Sequence, residues 1–106
     1  MRKKRITLND LRDAAAWLNE VTGSPAKPFR DDPVEGVIFN VGFYTIFEAF
    51  GGYTLARMTT SSGGTERPLT RKSVPEENYM PARELLGKIQ AYGHGCMAAR
   101  ADLESE

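Results

Sequence analysis

Apolar positions near the start of the chain fall on a helical spacing. Leu8, Leu11, Ala15 and Leu18 follow one another at intervals of three, four and three, which places them on one face. Ala14, Trp17 and Val21 widen that stripe. Thr7 with Asp10 three residues on has the form of a capping box, Asp standing where Glu is preferred. Gly23 sits where a left-handed C-cap belongs, and Pro25 and Pro28 prevent continuation. A helix over residues 8–21 is predicted, followed by a polar connector over 25–33. From Val34 the period changes to two: Val37, Phe39, Val41 and Phe43 alternate with Ile38, Asn40, Gly42 and Tyr44. Gly42 inside that run marks a bulge or a break between strands.

The pairs Gly51-Gly52 and Gly63-Gly64 mark chain reversals and divide the following stretch into strands over 44–47, 53–59 and 65–70. Residues 71–80 read as a loop. Pro81 suits the first position of a second helix, whose apolar face is Leu85, Leu86, Ile89 and Tyr92. Gly87 weakens that helix and Gly93 and Gly95 end it, with at most a short helical turn after Cys96. The expected fold is α+β: helix, three-strand antiparallel meander, helix, with a single layer of helices on a small sheet. Residues 1–6 form a basic arm, 7–95 one domain and 96–106 a tail.

Composition narrows the class. A chain of 106 residues fits one domain, and a 41% apolar fraction with five Phe, four Tyr and one Trp argues against disorder. No apolar run approaches the roughly 20 residues of a membrane span. Basic residues 2–5 have no apolar stretch behind them, so no secretory signal is expected. The single cysteine suits a reducing compartment. Fourteen basic residues balance fourteen acidic ones, which removes any global attraction to nucleic acid. The charge is nonetheless uneven, with Arg2, Lys3, Lys4 and Arg5 at one end and Asp102, Glu104 and Glu106 at the other.

Catalytic chemistry finds little support. His94-Gly95-Cys96 brings a base and a nucleophile close in sequence, yet residues two apart in a glycine-rich segment rarely meet, and no second His exists to help. One His and one Cys fall short of the four ligands of a structural zinc site. Asp31-Asp32 and Glu76-Glu77 are adjacent residues in expected loops, where their side chains point apart and are solvated. Neither glycine pair belongs to a phosphate-binding motif. The expectation is a chain without enzymatic activity, cofactor or metal.

Two binding readings remain. A nucleic-acid binder would use the arm Arg2, Lys3, Lys4 and Arg5, then Arg67, Arg71 and Lys72 after the third strand. The element order is similar to that of the double-stranded RNA-binding domain, but that family carries a dense basic cluster at the start of its last helix, and here Glu84 interrupts it. A protein binder would use the aromatic residues Phe39, Phe43, Tyr44, Phe47, Phe50 and Tyr53, crowded into fifteen residues. A small sheet with one helical layer hides only one face.

Three motifs also stand together: Phe50-Gly51-Gly52-Tyr53-Thr54-Leu55, then Gly63-Gly64, then Pro81-Ala82-Arg83-Glu84-Leu85. This pattern resembles small uncharacterised proteins of bacteriophages and other mobile elements, over residues 11–95. Leu18-Asn19-Glu20 with Gly23 is similar to the end of their first helix. The resemblance implies a bacterial cytoplasm and an accessory role: binding a host or phage protein complex, with inhibition of a defence system such as CRISPR as one instance. The expected contacts are Tyr44, Phe50, Tyr53 and Arg57 on the hairpin, then Arg67, Arg71 and Lys72.

Overall fold

The structure is a computed structural model and describes residues 5–70 and 75–104. Helix α1 (Leu8–Thr22) forms as its pattern predicts. Thr7 Oγ1 accepts from the Asp10 N–H, and Asp10 Oδ2 accepts from the Thr7 N–H at 2.8 Å, closing the capping box. Gly23 ends the helix in the left-handed region at φ 70°.

The chain then departs from the expected connector. Strands β1 (Phe29–Asp32) and β2 (Gly36–Phe39) form a separate antiparallel hairpin, in register from Phe29 opposite Phe39 to Asp32 opposite Gly36. The reversal rests on Asp32, whose carboxylate accepts from the Val34 and Glu35 N–H groups at 2.8 and 3.0 Å. Those two bonds, the Glu35 one foremost, hold its carboxyl below the ordinary Asp range. Val34 therefore sits in a turn rather than at the start of a strand. Gly42, at φ 96°, breaks the period-two run and frees the next strand to join a different sheet.

That second sheet is the expected meander: β3 (Tyr44–Ala49), β4 (Gly52–Met58) and β5 (Thr65–Glu66), in the order β3-β4-β5. β5 is shorter than expected, in keeping with Pro68, which has no N–H to donate to a ladder. Beyond β5 on the same side of β4, Met80 exchanges backbone bonds with Tyr53 at 2.8 and 2.9 Å. A 3₁₀ turn (Pro75–Asn78) leads into it.

Helix α2 (Ala82–Glu104) runs without interruption through Gly93 and Gly95, where a stop was expected. Pro81 lies just outside it and supplies the carbonyl that the Leu85 N–H meets at 3.1 Å. Gly93 has a packing role instead. A Cβ there would overlap the Trp17 ring, so glycine lets the two helices close together over the indole. The segment after Cys96 is thus part of α2, pinned by Arg100, whose guanidinium donates to the Val21 carbonyl at 2.8 Å.

Both helices cover one face of the β3-β4-β5 sheet, as a single layer. Between them lie Leu11, Leu18, Leu55, Leu85 and Ile89, all fully buried, with Ala15, Tyr44 and Met80. Each fully buried aliphatic side chain contributes about 1.5–3 kcal/mol, so this cluster dominates the stability.

The three glycines of α2 separate packing from propensity. Nothing lies within 4 Å of a Cβ at Gly87 or Gly95. Gly87→Ala and Gly95→Ala are each expected to raise stability by up to about 1 kcal/mol. Gly93→Ala gains the same propensity but overpacks Trp17, and a net loss of about 1–3 kcal/mol is expected in urea unfolding.

Candidate functional site

Tyr44 joins three elements. Its backbone faces the outer side of β3, where the buried Asn19 side chain of α1 meets both polar groups: Oδ1 accepts from the Tyr44 N–H at 2.8 Å, and Nδ2 donates to its carbonyl at 3.1 Å. Its hydroxyl lies 3.0 Å from that of Tyr92 on α2. Burial, then the bond to Tyr92, drives the Tyr44 phenol well above its ordinary pKa, so it stays neutral. With 4% of its surface exposed, Tyr44 is a core residue and not the surface anchor expected of it.

The remaining hairpin candidates do not form one patch. Arg57 lies opposite Tyr44 at the open end, with its guanidinium 5.8 Å from that ring centroid and 3.3 Å from the Glu66 carboxylate. Phe50 is at the turn, six residues along β3 from Tyr44, a separation of about 20 Å in extended chain. Tyr53 is half-buried and occupied with Met80. Arg67 lies 5.0 Å over the Phe47 ring and donates to Thr65 Oγ1. Arg71, Lys72 and the arm residues Arg2, Lys3 and Lys4 lie outside the described residues; Arg5 is described and exposed.

Phe50 stands apart in its geometry. Phe50 and Gly51 are the two residues between the paired Ala49 and Gly52, at φ 53° and 71°. Positive φ at both positions is a type I′ turn, which favours Asn-Gly or Gly-Gly. Phe50 is the one non-glycine residue at positive φ among the described residues. The residue is 66% exposed, and its ring meets that of Tyr79 edge-on, with centroids 5.2 Å apart. A left-handed conformation costs a residue with a Cβ about 1–2 kcal/mol.

No match was found to a family model, a curated protein or a solved structure. The site therefore rests on its own geometry.

Two further surfaces were not anticipated. On the β1-β2 hairpin, Phe29 and Val37 share a face and are 48% and 55% exposed, while Phe39 at the base packs over Gly63 and donates its N–H to the Ser61 carbonyl at 2.9 Å. Beside β3, a groove of about 580 Å³ lies between that strand and α1, lined by Arg12, Ala15, Ala16, Asn19, Phe43 and Ile46 among others. The connector's lack of alternation hid the first. A polar Asn19 following the apolar stripe of α1 was the available signal for the second.

His94 and Cys96 lie two apart on α2, a spacing that sends them to different sides of a helix. His94 instead packs against Trp17, with ring centroids 5.4 Å apart. Among the described residues no group of three or more His, Cys, Asp or Glu is placed to hold a metal ion, and no helix is long and apolar enough to cross a membrane.

Asn19→Ala strips partners from two buried backbone groups at once. A loss of about 2–4 kcal/mol is expected in denaturant unfolding, larger than for an exposed substitution on the same helix such as Asp13→Ala.

Proposed function

We propose that this chain is a non-enzymatic binding protein that docks on a macromolecular complex through the Phe50 turn. The observation that carries this reading is a large aromatic residue held at φ 53° with two thirds of its surface exposed. Stability alone favours Asn or Gly there, and strain retained at an exposed turn is a mark of a contact residue. A rigid, exposed ring on a tight turn is also the kind of anchor that fills a pocket in a partner. Tyr79 braces Phe50 from one side and limits the entropy lost on docking.

The resemblance to small bacteriophage and mobile-element proteins supplies the partner class. On that reading the complex belongs to the bacterial host or the phage, and a defence assembly such as CRISPR fits an accessory protein that acts by occupying a surface. Arg57 and Arg67 lie outside this anchor and serve mainly within the fold, so the aromatic turn carries the contact.

Phe50→Asn tests the reading because it spares the fold. Relief of the left-handed strain offsets the lost contact with Tyr79, and a stability change within about 1 kcal/mol is expected. Tagged wild-type chain should capture a stoichiometric protein from bacterial lysate after nuclease treatment, and Phe50→Asn should lose it. Equal capture by both chains would count against the Phe50 turn. Capture that vanishes with nuclease would favour the nucleic-acid reading through Arg2, Lys3, Lys4 and Arg5.

A further inference from the structure

We propose that the outer edge of β3 accepts an extended peptide segment of a partner polypeptide as an added strand, seated in the groove against α1. This site is separate from the Phe50 turn and does not rest on it.

The argument begins with the ladder. In an antiparallel pair the backbone groups of alternate residues face inward and outward. Asn19 meets the N–H and C=O of Tyr44 from outside, so Tyr44 is an outward-facing residue. Ile46 and Glu48 follow at steps of two, and their N–H and C=O groups also point away from β4. None of these four groups has a partner among the described residues. The opposite side of β4 is filled by β5 and by Met80, and α1 itself closes the β3 edge at Tyr44 through one side chain. Two donors and two acceptors at strand spacing are left, beyond a defined stop.

The surroundings select the occupant. The helix side of the groove runs from Arg12 through Ala15 and Ala16 to Glu20, and Phe43, Thr45 and Ile46 line its strand side. Small alanines leave room for a partner's side chains beside the edge. Its volume of about 580 Å³ lies within the range of natural ligand sites. Arg12 is exposed, lies at the Ile46 end of this helical face and has no ion-pair partner among the described residues. The groove thus fits an extended segment with an apolar side chain against the alanines and an acidic residue placed toward Arg12, on the Ile46 side of the Asn19 stop. Backbone pairing supplies the affinity and the alternate side chains the selectivity.

The test uses a random heptapeptide library displayed on phage and panned against the whole chain. Glu48→Pro serves as the counter-target, because it deletes one outward N–H at an exposed edge position that tolerates proline. Glu48→Ala keeps that N–H and controls for the lost charge. Peptides enriched on the wild type are expected to bind Glu48→Ala comparably and Glu48→Pro about tenfold more weakly. In the bound state the Ile46 and Glu48 amides should shift and gain exchange protection in NMR spectra. N-methylation of the synthetic peptide should abolish binding at alternate residues only.

Three results would overturn the proposal. One is the absence of any peptide that distinguishes wild type from Glu48→Pro. Another is amide perturbation confined to the β1-β2 hairpin or the Phe50 turn. The last is concentration-dependent dimerisation of the chain alone with protection of Ile46 and Glu48, which would make a second copy the occupant.

Discussion

The Asn19 amide and the Tyr44 backbone form the contact on which the arrangement of this small domain depends. A buried strand edge cannot leave its N–H and C=O unpaired without losing about 1–3 kcal/mol per group. One side chain on α1 satisfies both, at 2.8 and 3.1 Å, and so fixes where the helix lies along β3. The Tyr44 side chain leaves the opposite way, into the cluster of Leu11, Leu18, Leu55, Leu85 and Ile89, and its hydroxyl reaches Tyr92 on α2. A single residue thereby ties both helices to the sheet.

That placement also explains what is left available. With α1 held at the Tyr44 end, a groove lies between the helix and residues Phe43 to Ile46, and the edge beyond it is left without a strand partner. At the far end of the same strand, a two-residue turn forces Phe50 to positive φ and presents its ring to solvent. Surface strain at Phe50 is affordable because the aliphatic cluster supplies a far larger stabilisation.

Much of the fold was legible from local rules. The spacing of Leu8, Leu11, Ala15 and Leu18, the Thr7–Asp10 box and Gly23 specified α1, and the two glycine pairs specified the meander. Two failures have different causes: local propensity carries no information about tertiary partners, and a solvated hairpin leaves no apolar period to read. Gly93 and Gly95 read as a helix stop, yet tertiary packing on Trp17 demands the first and the helix tolerates the second. Residues 29–32 lack any alternating pattern because their hairpin is largely solvated, so no apolar period marked it. Of the expected contacts, Phe50 is exposed at the turn, whereas Tyr44 is buried in the core. Aromatic residue type alone does not separate the two; the turn geometry and the Asn19 bonds do.

Native-state amide hydrogen exchange along β3 tests this account most directly. The Tyr44 amide, bonded to a buried side chain, should exchange only through opening of the whole domain, while the outward amides of Ile46 and Glu48 should exchange close to the rate of an unstructured chain. Rapid exchange at Tyr44, or protection at Ile46 and Glu48 equal to that of Tyr44 in the dilute isolated chain, would contradict it.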